Sequence, residues 1–234
     1  SRHQALVLDV HRLADPATPH DTDFRGSLLA ARDCDQDSSN NDAPGNLLDA
    51  WEGYYAEDSS PSYELRGTVI TGALEGRSPQ FWVSAERGSI DLTFHDVTVW
   101  AQLAPGLTSA SDGVACAYLL ASELDSFRIR DLPFSGLEIM VSPATILGID
   151  ELQPVLLDVD LDDDGLEWFV ADEEGHIVLC RDGDGTMIPS EEGLPCAQRP
   201  EIADGVSTNI TFDAVPAGLV IPGGSGHTCP GGWD

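Results

Sequence analysis

The chain of 234 residues carries 41 acidic against 11 basic residues, a formal net charge of −30, with 41% apolar residues. That length can bury the core of one large β domain or two small ones, and that charge argues against nucleic acid or an anionic membrane surface as a partner. No apolar run reaches the ~18 residues that cross a bilayer as a helix, so no membrane-spanning segment is expected.

Every basic residue is arginine, and the acids are unevenly spread, crowding into residues 150–174. Crowding of this kind favours ion binding over general salt adaptation. Ser1 opens directly in polar sequence, as expected of a chain from which any leader has been removed. The five cysteines are Cys34, Cys116, Cys180, Cys196 and Cys229, with no Cys/His spacing that suggests zinc. Cys180 ends a strand-like run and Cys196 follows a Gly/Pro-containing loop, an arrangement that suits a local disulfide and an extracellular or cell-surface setting. Cys34 with Cys229 is the other pairing considered, leaving Cys116 reduced.

In chain order, residues 4–10 (QALVLDV) read as a strand that pairs either with its own sheet or with that of a neighbouring subunit. A polar stretch with Pro16 and Pro19 runs from there to about residue 24 as a long loop, and residues 25–32 are ambiguous. Asp33, Asp35 and Asp37 alternate, but Ser38 stands where a calcium loop wants glycine, so a second ion site competes here with a plain polar loop. Residues 46–56 (NLLDAWEGYYA) suggest a short helix.

From Tyr63 the apolar period is 2. Strands are expected at 63–74, 79–85, 89–95, 97–103, 114–122, 126–130 and 136–141, with hairpin turns at Glu75-Gly76 and Glu86-Arg87-Gly88. Residues 206–220 supply closing strands. Strands at this spacing with no long helical pattern predict a mostly β fold, an antiparallel sandwich or barrel-like domain. The expected organisation is an N-terminal strand with a long, acidic and irregular region (1–62), a β-rich core (63–220) containing an Asp-rich hairpin (153–187), and a Gly-rich tail (221–234).

That hairpin is the most specific stretch. Asp158, Asp160, Asp162 and Asp164 alternate, Asp163 lies between, and Gly165 follows. Two strand-like runs, 166–171 and 176–180, flank a short acidic loop. In such a hairpin the aspartates before Leu166 lie beside the Asp182-Gly183-Asp184-Gly185 turn. So many carboxylates repel one another unless a cation neutralises them. Carboxylates at first, third and fifth positions before a glycine suit a hard, oxygen-seeking ion.

The segment resembles the calcium loops of FG-GAP/VCBS-type repeats and, more loosely, EF-hand or thrombospondin type 3 loops. The resemblance covers only the hairpin. It departs from the first family at the ninth position, which is Trp168 with Glu167 one place early, and from the EF-hand at the twelfth, which is Ala171. It implies one Ca2+ held by Asp160, Asp162, Asp164 and the Leu166 carbonyl. Hairpin geometry adds Asp182 or Asp184, with Asp158 and Glu167 in reserve.

Other constellations point nowhere definite. The tail's Gly-Gly-Ser-Gly-His lacks the strand–turn–helix setting of a serine nucleophile, and the six histidines are scattered singly. The expectation is a secreted, calcium-binding structural or adhesive protein that is not an enzyme and associates with itself. The alternatives are a carbohydrate-binding module, with glycans met by Trp51, Tyr54, Tyr55, Phe81, Trp82, Trp100 or Trp168, and, more weakly, a glycosidase-like enzyme.

Overall fold

A computed structural model describes residues 4–33, 47–50, 64–85, 90–126, 154–172, 176–216 and 218–220. The fold is mostly β with antiparallel sheets, in which β-strands 47–50 and 218–220 pair in parallel; neither sheet closes into a barrel. By contacts the chain divides into two compact units, the first made of Ser1–Phe81, Asp96–Cys116 and Asn209–Asp234, the second of Trp82–His95 and Ala117–Thr208.

The strands are β1 (Gln4–Arg12), β2 (Asp21–Asp33), β3 (Leu47–Ala50), β4 (Glu64–Ile70), β5 (Ala73–Ala85), β6 (Ile90–Leu103), β7 (Ala110–Leu120), β8 (Val155–Leu156), β9 (Trp168–Ala171), β10 (Ile177–Arg181), β11 (Met187–Pro189), β12 (Gly205–Ala214) and β13 (Gly218–Val220). A nine-stranded sheet runs β12-β7-β6-β5-β4-β2-β3-β13, with β1 also on β2. β1 lies where an N-terminal strand was expected, and β2 and β3 fall in the stretch read as loop, ambiguous or helical. β1 pairs antiparallel with β2 from Gln4↔Arg32 onward, so the N-terminal strand is taken up by its own sheet.

In the first unit, β5 shows the period-2 alternation the sequence promised, with Leu74, Gly76 and Ser78 buried and Ala73, Glu75 and Arg77 exposed. Its turn lies elsewhere than expected. The β4–β5 hairpin turns at Thr71-Gly72, both with positive φ (53° and 82°), while Glu75-Gly76 lies inside β5. Gly76 is not there to turn the chain. It pairs with Gly67, a Cβ on Gly67 would stand 1.8 Å from the Glu75 carbonyl oxygen, and one on Gly76 would meet the Leu65 side chain at 2.7 Å. Two glycines that let strands and a core leucine approach closely read, in sequence, like a turn signal. Among the described residues of this unit, Phe24, Leu28, Leu65, Val69, Leu74, Phe81, Val97, Val99, Ala101 and Leu103 are the buried apolar ones.

Two further expectations are corrected. Residues 47–50 form β3 rather than the start of a helix. β3 pairs antiparallel with β2 and parallel with β13, and a short isolated helix with Gly53 in it cannot compete with that pairing. Where the strand expected at 114–122 was to end, α1 (Ala121–Ser126) forms instead, and residues 127–130 of the strand expected at 126–130 lie outside the described residues. Its start is fixed by the Glu123 carboxylate, whose Oε2 accepts the Leu120 N–H at 3.2 Å, one half of a capping box. Burial of Ala121 and Leu124 holds the turn in place. The expected strand at 136–141, the Glu86-Arg87-Gly88 turn, Asp35, Asp37 and the Gly-rich tail lie outside the described residues.

The second unit carries a four-stranded sheet in the order β11-β10-β9-β8. Neighbours in that order are also consecutive in sequence and antiparallel, so the sheet is a meander. Its loops alternate between the two ends: β8–β9 and β10–β11 turn at one end, β9–β10 at the other. Leu157, Phe169, Ala171, Ile177, Cys180 and Ile188 form its core with Leu119, Leu124, Cys196, Ala197 and Ile202. Cys180 and Cys196 are disulfide-bonded, with Cα atoms 5.8 Å apart, as the spacing suggested. Cys116 is free, and Cys34 and Cys229 lie outside the described residues.

Candidate metal centre

The meander explains why two aspartate-rich loops meet. The β8–β9 connection, residues 157–167, and the β10–β11 turn, residues 182–186, emerge at the same end. A Cβ on Gly183 would fall 2.1 Å from Asp164 Oδ1 and 2.7 Å from the carbonyls of Asp164 and Gly165. Only a residue without a side chain can sit there.

Within the first loop the aspartates fold the backbone by local hydrogen bonds. Asp160 Oδ1 accepts the Asp163 N–H at 2.8 Å, and Asp162 Oδ1 accepts the Asp164 N–H at 3.3 Å. Asp163 and Gly165 take left-handed φ values of 64° and 111°, which aspartate tolerates and glycine allows freely. The turns bring Asp160 and Asp162 onto one side of the loop.

A segment about forty residues downstream closes the arrangement. Val159 and Gly205 exchange both backbone hydrogen bonds at 3.1 Å, and Ser207 donates through its N–H and its hydroxyl to the two oxygens of Asp158 at 2.7 and 2.6 Å. Just before these anchors in the chain, Asp204 is fully buried. Its Oδ1 accepts the Leu161 N–H at 2.9 Å and its Oδ2 the Glu167 N–H at 3.2 Å. In return, Glu167 Oε2 accepts the Asp204 N–H at 3.1 Å.

Asp160, Asp162 and Asp204 each present a carboxylate oxygen, and these oxygens all lie within 4.8 Å of one another. Two oxygens bound to one calcium at its usual 2.3–2.6 Å can be at most roughly 5 Å apart, so the three fit around a single ion of that size. The donor set is oxygen only, which suits calcium, magnesium or manganese rather than zinc or copper. These three groups can hold a metal ion.

The electrostatics carry the cost of assembling such a set. Burial, then the Asp160 and Asp162 carboxylates, raise the pKa of Asp204, against backbone hydrogen bonds from Leu161 and Glu167 that work the other way. Glu167 is pushed up to about 7, by burial first and then by Asp204, Asp164 and Asp162, with the hydrogen bond from Asp204 N–H acting in opposition. Asp164 is raised by desolvation and by Asp162, Asp204 and Asp160. Asp158 moves the other way: burial acts upward, but the two hydrogen bonds from Ser207 outweigh it and its pKa is lowered.

Of the residues singled out from sequence, Asp160 and Asp162 come together. Asp164 lies beside them, bonded to Asp162 through its N–H and covered by Gly183. Leu166 exposes its side chain and Asp158 is committed to Ser207. Asp182 Oδ1 accepts the Thr186 N–H at 2.6 Å, bracing its own turn, and Asp184 is exposed. Asp204 was missed. An Asp-Gly pair before a strand is an ordinary turn signal, and nothing local marks it as reaching back to residue 160. Glu167 left a better trace, because it occupies the inward position of the Glu167, Phe169, Ala171 alternation, where an acid is out of place.

Elsewhere, His95 Nε2 lies 3.0 Å from Glu123 Oε1 and stacks on Tyr118, and His176 pairs with Asp172. Phe81 is buried, Trp168 is half-buried and Trp100 is exposed, while Trp51, Tyr54 and Tyr55 lie outside the described residues. No family model, curated protein or solved structure matches this chain.

Proposed function

We propose that the chain is a secreted calcium-binding protein of structural or adhesive type, in which one Ca2+ bound at the 158–167 loop secures the four-stranded unit. The observation that carries this reading is the convergence of Asp160, Asp162 and Asp204 to within one ion's reach. An acidic pair on a loop and a buried third acid from a distant segment repel without a cation and are joined by one. The Cys180–Cys196 bridge in the same unit supports an oxidising compartment, and extracellular calcium is abundant enough to fill sites of ~0.1–1 mM affinity.

The test is thermal melting in calcium, in magnesium and in chelator. Calcium should raise the melting temperature and magnesium should do so poorly, because it resists dehydration and demands a tighter octahedron. A melting temperature indifferent to calcium overturns the reading. The self-associating form of the proposal expects concentration- and calcium-dependent particles in light scattering. A monomer that binds glycans would favour the carbohydrate-binding alternative instead.

A further inference from the structure

We infer that Asn209 is a modification site that carries an N-linked oligosaccharide. The inference rests on the secreted part of the reading above and owes nothing to the calcium site. Asparagine occurs only at positions 40, 41, 46 and 209, and only the last opens an Asn-x-Ser/Thr triplet, Asn209-Ile210-Thr211. Such a triplet, with no proline in the middle, is the acceptor signal for N-glycosylation, and it is used at surface positions of secreted proteins.

The fold supplies that position. The triplet lies within β12, where side chains two residues apart point the same way. Ser207, Asn209, Thr211 and Asp213 are all exposed, whereas Val206, Thr208 and Phe212 between them are half-buried. Asn209 and Thr211 therefore share one solvent-facing row, the amide that takes the sugar and the hydroxyl recognised with it. Ile210 is exposed too, so no part of the triplet is buried. β12 ends the nine-stranded sheet, with β7 on one side. On its other side Val159 meets Gly205 and Asp158 accepts from Ser207, but from Thr208 onward no described strand lies there. A glycan at Asn209 displaces no pairing among the described strands, and it blocks an edge that another chain could otherwise extend. The transfer needs one co-substrate, an oligosaccharide carried on a lipid diphosphate. The Asn209 amide nitrogen bonds to the anomeric carbon, the bond from that carbon to the diphosphate oxygen breaks, and the lipid diphosphate leaves with the amide proton. Nothing is oxidised or reduced.

The test is mass spectrometry of the protein recovered from the medium of its natural host, before and after amidase release of N-linked glycans in heavy-oxygen water. The peptide containing Asn209 should carry a glycan, and release should leave a labelled aspartate at that position. The glycan should be lost completely in Asn209→Gln and in Thr211→Ala and kept in Thr211→Ser, which retains the hydroxyl. The wild-type measurement needs no substitution, so a variant that fails to fold leaves it intact. Secreted wild-type protein with Cys180 and Cys196 bridged and Asn209 unmodified overturns the inference and leaves the secreted reading standing. Protein found only inside the cell with both thiols free overturns both. A glycan that survives Thr211→Ala overturns the role of the triplet.

Discussion

Two hairpins in this chain solve the same problem with opposite chemistry. In the first unit, β4 and β5 are joined by the two-residue Thr71-Gly72 turn, and their inward positions hold Leu65, Val69, Leu74 and Gly76. In the second, β8 and β9 are joined by a loop rich in carboxylates, and the inward face begins with Glu167 before Phe169 and Ala171. The first needs nothing beyond its own residues: register, turn and apolar face agree, which is what makes a hairpin self-sufficient. The second is locally frustrated. Its strands are short, its core face starts with a buried acid, and its loop gathers like charges, so its stability is conditional on what neutralises them.

The sharpest way to break the first hairpin is to restore a side chain at its tightest contact. In Gly67→Ala the new Cβ would stand 1.8 Å from the Glu75 carbonyl oxygen, a backbone atom that cannot rotate away. We expect a loss of ~3 kcal/mol or more in urea denaturation, since overpacking against backbone forces strand separation. Calcium should not restore it. A loss below ~1 kcal/mol would mean that the two strands separate cheaply and that this hairpin does not depend on their close approach.

The second hairpin should respond to the ion instead. At a calcium concentration a hundredfold above the dissociation constant, binding adds ~2.7 kcal/mol to the stability of the wild type. Asp162→Ala should abolish that increment while costing little in chelator, where it relieves repulsion with Asp160 and Asp204. The measurement is denaturant unfolding of both proteins in calcium and in chelator. A calcium increment that survives Asp162→Ala would move the ion away from this loop.

In chelator the same hairpin should also carry a pH signature with a definite sign. Glu167 has an ordinary value of 4.5 and is raised to about 7 in the fold. Between those values the folded state keeps a proton that the unfolded chain has released, so stability falls as pH rises through that window. The contribution is complete below the unfolded value and is lost once pH has passed the folded one. A cation held by Asp160, Asp162 and Asp204 would offset the carboxylate charges that help to raise this value, so the gap between the calcium and chelator melting curves should widen from about pH 5 to about pH 7.5. A gap that narrows instead would mean that Glu167 is ionised without the ion.

How far the sequence revealed each hairpin follows the same contrast. The alternation of β5 was legible because burial there is a local, period-2 property, yet its turn was misplaced, since a glycine needed for close approach resembles a glycine needed for bending. The meeting of the two Asp-Gly loops was also legible, because consecutive antiparallel strands force it. Asp204 was not, for the bond between residue 204 and residues 161 and 167 is made by the fold alone. The strand at 47–50 and the helix at 121–126 failed for a related reason: pairing with β2 and the Glu123 cap outweigh local propensity, which decides little in so few residues.

The smallest effect expected is a gain, and it lies in the hairpin that already suffices. Thr71 and Gly72 both adopt positive φ, the requirement of the favoured two-residue hairpin turns, in which asparagine–glycine is the preferred pair. Threonine is branched at Cβ and pays steric strain at φ 53°, whereas asparagine visits that region readily. The Thr71 backbone carbonyl, which accepts from Gln102 Nε2 at 3.3 Å, is kept in any substitution. Thr71→Asn should therefore raise stability by ~0.5–1 kcal/mol, seen equally in calcium and in chelator because the ion has no part in this turn. A stabilisation that appeared only with calcium would show the two hairpins to be coupled, and a loss would show that the threonine makes a contact that outweighs its strain.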